Sequence, residues 1–174
     1  MSAVALRPAT LADLEVLRGW DEAEHVREAG GDPEANAMDW AMELTREVSW
    51  RQILIAEEAG RPIGAVQIID PAEEETHYWG DCGPGLRAID IWIGEADALG
   101  RGLGTAMMRQ TLERCFAAPE VGAVLIDPLA ANTAAHRFYE RLGFRLLERR
   151  TFLGVDECVV YRLTRYDWER TSRA

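Results

Sequence analysis

Alternation is clearest at residues 88–94. In "AIDIWIG", Ile89, Ile91 and Ile93 share one face of an extended chain, and Ala88, Asp90 and Trp92 share the other, because strand side chains alternate with a period of two. "VALRPA" reads as an earlier strand. Thr10 and Asp13 then stand at capping-box spacing ahead of Leu11, Leu14 and Leu17, which recur at helical intervals. A second helical segment is expected from Pro33 to Val48, and "WRQILIAEE", "AGRP" and "IGAVQIID" predict strand, turn and strand. From Gly102 to Phe116 the positions Leu103, Ala106, Met107, Leu112, Cys115 and Phe116 fit a helix that Pro119 ends. "VGAVLID" predicts a strand, "NTAAHRFYERLG" a helix stopped at Gly143, and "FRLLERR" and "ECVVYRLTR" the final strands. This mixture predicts an α/β or α+β sheet protein.

Length and composition narrow the class. At 174 residues, with 48% hydrophobic positions and six tryptophans, the chain is expected to form a single domain over 1–174 around one core. No stretch approaches the roughly 20 apolar residues of a membrane span, and "MSAVALRPATLADL" has no basic segment leading into an apolar run. A soluble, cytoplasmic protein is the expectation. Cys82, Cys115 and Cys158 are widely spaced and do not form ligand pairs, so neither a disulfide framework nor a metal site is predicted. Acidic residues outnumber basic ones by 30 to 19, for a net charge of −11. That balance disfavours nucleic acid and anionic membranes and permits a cationic partner.

Candidate chemistry centres on "LGRGLGTAMM". Gly100, Gly102 and Gly104 precede a helix, and such a turn aims backbone N–H groups at an anion from the positive end of the helix dipole. The turn lies far from the first strand and lacks Gly-Lys-Ser/Thr, which sets aside the dinucleotide fold and the NTPase loop. Asp90 is a lone acid in an otherwise apolar strand just ahead of it. Spacing alone accommodates a general base or a solvent-facing edge residue.

"NTAAHRFYERLGF", about 28 residues beyond Gly104, together with this turn resembles the acetyl-coenzyme A signature of the GCN5-related N-acetyltransferases. The resemblance implies one mixed, mostly antiparallel sheet flanked by helices. It implies that acetyl-coenzyme A is the donor, with its pyrophosphate on Leu99, Gly100, Arg101, Gly102, Gly104 and Thr105. Leu99 stands where the family usually has Gln or Arg, so backbone amides carry the anion, aided by Arg101. Asn132, Ala135 and Tyr139 would lie near the pantetheine and thiol, and backbone N–H groups from Trp92 through Ile93 to Gly94 would polarise the thioester.

"RAIDIWIGEADALGRGLGT", "LIDPLAANTAAHRFYERLGF" and "VDECVVY" are similar, more narrowly, to aminoglycoside 6'-N-acetyltransferases. That likeness implies Asp90 beside the accepting amine, Asp127 lining the pocket, Tyr139 facing the thiol and Asp156 contacting the acceptor. Where those relatives have aromatic residues before "GG", this chain has "HVREAGG", and their "DQ" is "DI".

An alkyl amine with a pKa of about 10 must lose a proton before it attacks, which suits a carboxylate such as Asp90 as base; Tyr139 is the candidate acid. Asp127, Asp156 and Glu157, with candidates among Glu73, Glu74, Glu75, Asp81 and "DEAEH", are placed around a polycation; Tyr78, Trp79 and Trp92 are candidate flat walls. Solvated loop and helix faces explain many of these acids equally well. His25, His77 and His136 form no triad and are assigned to surface positions, and no cysteine adjoins a histidine in the motifs. The expected activity is direct acetyl transfer in a ternary complex to the 6'-amine of an aminoglycoside. Another amine or hydroxylamine, or a non-catalytic acyl-coenzyme A module, are the alternatives. Monomer and homodimer both fit.

Overall fold

The computed structural model describes residues 4–172. Strand β1 (Val4–Pro8) leads into Thr10, whose hydroxyl accepts from Ala12 N at 3.3 Å while Asp13 Oδ2 accepts from Thr10 N at 2.8 Å. This is the reciprocal cap that the spacing predicts. One 3₁₀ turn then enters α1 (Leu14–Asp21). Two short helices follow, α2 (Glu24–Ala29) and α3 (Trp40–Glu43). The helix expected over Pro33 to Val48 is therefore reduced to α3. Residues 30–39 instead form a loop, in which Asp32 accepts from Glu34 N and Ala35 N, and Asp39 caps the start of α3 by accepting from Met42 N. Such short polar side chains compete with helical hydrogen bonds.

The hairpin of β2 (Arg51–Glu58) and β3 (Arg61–Ile69) is followed by β4 (Leu86–Ile93), α4 (Leu103–Ala117), β5 (Ala123–Ile126), α5 (Thr133–Arg141), β6 (Arg145–Phe152), β7 (Asp156–Thr164) and α6 (Arg165–Ser172). The sequence reading did not anticipate α6. The strands form one seven-stranded sheet in the order β1-β2-β3-β4-β5-β7-β6, antiparallel throughout except for the parallel pair β4 and β5. A parallel pair needs a crossover, and α4 supplies it.

The two faces of β4 divide as the alternation predicts. Ile89, Ile91 and Ile93 meet the cluster containing Met107, Met108 and Leu112 of α4, whereas Trp92 packs with Leu17, Trp20 and Trp40. Gly94 makes that second packing possible, since a Cβ there would lie 2.1 Å from the Trp20 ring.

The sheet opens at its centre. β4 and β5 pair only over Leu86–Ala88 and Ala123–Leu125. Beyond that point the chain after β5 stays with β7: Val159 N donates to Pro128 O at 2.9 Å and Ala130 N to Glu157 O at 2.7 Å. The edge of β4 from Ile89 onward is left without a partner strand on that side.

Candidate active site

A cavity of about 530 Å³ occupies this opening. Because it passes through the sheet, residues from both faces of β4 line it: Asp90 and Trp92 from one, Ile89 and Ile91 from the other. Asp127, just past β5, and Asn132, Ala135 and Tyr139 of the α5 segment complete the inner wall, and Asp21 and Asp156 stand elsewhere in the lining. Four aspartates line the cleft and no arginine does; the sequence contains no lysine.

Asp90 is open to the cleft, yet protein surrounds it closely enough that burial pushes its carboxyl up to about 6, with Arg51 pulling the other way. Asp127 is pushed up to about 7, first by burial and then by the charge of Asp90, while a hydrogen bond from Tyr78 opposes the rise. Two neighbouring carboxyls with raised values are poised to attract an ammonium ion and to accept a proton near neutral pH.

Tyr78 stacks on Phe152 with ring centroids 4.4 Å apart and lines the cleft. Trp79, 6% exposed, lies beneath in the core with Ala88 and Leu125, away from the cavity. Glu157 points out to solvent, as strand alternation requires next to Asp156. Asp156 lines the cleft, but both of its oxygens are occupied: Asp32 N donates to Oδ1 at 2.9 Å and Asn36 Nδ2 to Oδ2 at 2.8 Å. It thereby latches the 30–36 loop to the hairpin. Glu74 is a buried turn cap for Thr76 N and Tyr78 N, Glu75 pairs with Arg46, and Glu73 and Asp81 are exposed. Of the "DEAEH" acids, Asp21 alone reaches the cleft.

Asn132 caps α5, its Oδ1 accepting from Ala135 N at 3.1 Å. Tyr139 is 9% exposed, packs edge-to-face on Phe138 and Phe144, and has no hydrogen-bond partner for its hydroxyl among the described residues. Burial and the charges of Asp90 and Asp127 push its phenol well above the usual tyrosine range. His136 is part-buried rather than a free surface side chain. Its Nε2 lies 3.1 Å from Leu129 O and its Nδ1 3.0 Å from the Tyr161 hydroxyl, pinning α5 to the neighbouring loop and strand. His25 bonds Ile93 O through Nε2 at 2.9 Å. Cys158 touches the cleft, and burial with Asp127 nearby raises its thiol to about 12, which keeps it from acting as a nucleophile at neutral pH.

The glycine turn lies outside this cavity, at the start of α4. Gly100 and Gly102 take φ of +69° and +78°, conformations that favour glycine, and Gly102 caps α4 without a side-chain bond. Backbone amides from Gly100 through Thr105 have no acceptor among the described residues, and the first helical bond is Ala106 N to Gly102 O at 3.3 Å. These orphan donors at the positive end of a fifteen-residue helix suit a multiply charged anion. Leu99 is exposed beside them. Arg101 does not point to this anion seat: its guanidinium makes two bonds to Glu58, at 2.8 and 2.9 Å. Gly94 N is likewise taken, by Ile63 O at 2.9 Å, and the alternation of an antiparallel ladder turns Trp92 toward β3 as well, so a polarising amide on this part of β4 must come from Ile93.

Among the described residues no cluster of His, Cys, Asp or Glu is arranged to hold a metal, and no helix is long and apolar enough to cross a membrane.

The acetyltransferase (GNAT) domain family matches residues 9–152. The aminoglycoside N(6')-acetyltransferase type 1 of Serratia marcescens is 33% identical over 98% of this chain and 87% of its own. A kanamycin resistance protein of Rhizobium radiobacter is 40% identical over 57% of this chain and 85% of its own. The crystal structure of aminoglycoside acetyltransferase AAC(6')-Ib with coenzyme A and kanamycin superposes with a TM-score of 0.84 at 32% identity, covering 98% of this chain and 99% of that one.

Proposed function

This chain belongs to the acetyltransferase (GNAT) family, and we propose that it transfers the acetyl group of acetyl-coenzyme A to the 6'-amine of aminoglycosides, conferring resistance to them. One observation carries this reading: the raised carboxyls of Asp90 and Asp127 face a cleft lined by four aspartates and no basic residue. A cleft of that charge selects a cation with several amines. The 33% identical relative and the complex with kanamycin support the same acceptor.

Acetyl-coenzyme A supplies an acetyl group activated as a thioester. The acceptor-free amides from Gly100 through Thr105 fit its pyrophosphate, and the unpaired edge of β4 fits its extended amide arm. Asp90 draws the ammonium into the cleft and takes its proton, which frees the nitrogen lone pair for attack on the thioester carbonyl. Asp127 adds a second negative charge, held in place by Tyr78. Tyr139 stays protonated because its phenol is raised, so its role at the leaving sulfur is hydrogen-bond donation. The chain acts as one domain over 1–174, in the cytoplasm where the donor is made, as a monomer or homodimer and without nucleic acid.

The test is acceptor-dependent thiol release from acetyl-coenzyme A. Kanamycin and ribostamycin are expected to be turned over, with acetyl located on the 6'-nitrogen by mass spectrometry and NMR. Turnover confined to other amines or hydroxylamines would move the acceptor assignment, and none with any amine would leave a non-catalytic binding module.

A further inference from the structure

Resting on that acceptor reading, we infer that Asp21 is a second ammonium-binding group of the cleft. The acceptor then carries at least two amines, one delivered to Asp90 and another held at Asp21.

Asp21 ends α1 and lines the same cavity as Asp90. Trp40 Nε1 donates to its Oδ2 at 2.6 Å, which fixes the carboxylate, while Oδ1 has no donor among the described residues. Its nearest charged influence is Glu22, of the same sign, and burial raises its carboxyl above the ordinary aspartate value. A half-buried carboxylate without a counter-ion is stabilised by an arriving cation. Asp156 has no such vacancy, because Asp32 N and Asn36 Nδ2 take both of its oxygens.

Independent features of the same wall point to a ligand and describe it. The Trp40 ring that holds Asp21 lies 6.1 Å from the Trp92 ring, and Trp92 follows Asp90 on the same face of β4. The two indoles therefore pack between the two carboxylates, and Trp92, the less buried of the pair, is the flat part of that wall that a sugar-like ring can meet. Trp92 Nε1 is buried without an acceptor. Gln67 stands opposite Asp90 in the β3–β4 register, is 7% exposed, lines the cleft, and its amide has no partner among the described residues. The Gln67 amide is the one of these that meets the cleft, and an unmet amide there is satisfied by a hydroxyl group. The ligand class is a polyhydroxylated molecule with two or more amines, whose hydroxyls can both donate to and accept from the Gln67 amide; a fully protonated alkyl polyamine can only donate and would leave the Gln67 N–H groups unmet.

The experiment compares kcat/KM for kanamycin with that for a methyl 6-amino-6-deoxyglucoside, which offers the reacting amine alone. In Asp21→Asn the bond from Trp40 is kept and only the charge is lost. The kanamycin-to-monoamine ratio is expected to fall about tenfold, through KM rather than kcat, as for loss of a half-buried charge pair. An unchanged ratio overturns the inference. If Asp21→Asn melts below the assay temperature, Asp21→Ser is read in the same way. If wild type acetylates neither compound, the proposed function fails instead; calorimetric titration of kanamycin into wild type and Asp21→Asn then decides the subsite, with equal affinity, or no binding to wild type, counting against it.

Discussion

The Tyr78 hydroxyl donates to Asp127 Oδ2 at 2.7 Å, joining the loop ahead of β4 to the end of β5 across 49 residues of sequence. The bond favours the carboxylate, so Tyr78→Phe is predicted to raise the Asp127 carboxyl further. A hydrogen bond to a charged group contributes about 1.5 kcal/mol, equivalent to roughly one pH unit. The acidic limb of kcat/KM for a cationic acceptor should move to higher pH by up to that amount. A limb that stays in place removes Asp127 from the titration governing acceptor capture.

Asp90→Asn keeps the size of the side chain and removes the base. Turnover in the thiol-release assay is expected to fall by about 10²–10⁴-fold, the usual contribution of a positioned general base. Calorimetry should find acetyl-coenzyme A affinity retained, because the glycine turn is built from other residues. Near-normal turnover would return Asp90 to the status of a strand-edge acid.

Stability should respond to the same two carboxyls. Their folded-state values, about 6 and about 7, exceed the ordinary aspartate value of 3.8. Between those limits the folded chain binds more protons than the unfolded chain, so stability falls as pH rises through the window and the penalty is complete above it. Asp127→Asn removes one such group and still accepts from Tyr78. Thermal melts should show a larger gain in Tm at pH 8 than at pH 5, and an equal gain at both would reject the linkage.

Gly102 and Gly104 separate backbone strain from cofactor contact. At Gly102, φ is +78° and a Cβ would meet open space, so Ala costs about 1 kcal/mol through conformation alone. Gly102→Ala should lower Tm and weaken acetyl-coenzyme A binding. Gly104 is helical, and its added Cβ would lie at an ordinary 3.7 Å from Ile93. Gly104→Ala should hold or raise Tm, so any loss of affinity there reports close approach of the pyrophosphate. Unchanged affinity in both variants would place the anion elsewhere.

Tyr139→Phe preserves the packing on Phe138 and Phe144 and removes only the hydroxyl. Since the phenol stays protonated, kcat should drop about 10²-fold, the low end for loss of one transition-state donor, by the same factor across pH 6–9. No drop at any pH would leave Tyr139 with packing alone.

Short-range physics made much of this legible from residue order. Alternation over 88–94 assigns Asp90 and Trp92 to one face, the Thr10 and Asp13 spacing marks a helix start, and the glycines of 100–104 mark a turn where positive φ is needed. The helix expected over Pro33 to Val48 begins only after Asp39, whose carboxylate caps α3, while Asp32 ties the preceding turn to local amides, a competition that apolar periodicity does not register. Arg101 and Asp156 look equally available in sequence, yet each is occupied by a partner far along the chain, Glu58 in one case and Asp32 with Asn36 in the other.

The sequence by itself determined the strands, the glycine turn and the family signature, and through that signature it nominated Asp90, Asp127 and Tyr139 as candidates, since each motif rests on neighbours a few positions apart. Only the tertiary structure decided that the chain after β5 follows β7 and leaves β4, which opens the sheet and sets Asp90 and Asp127 facing one cleft. It also decided that Asp21 joins them and that Trp79 does not. Strand pairing and burial are settled by contacts between distant segments, and spacing along a chain carries no measure of which segment a free backbone edge will meet.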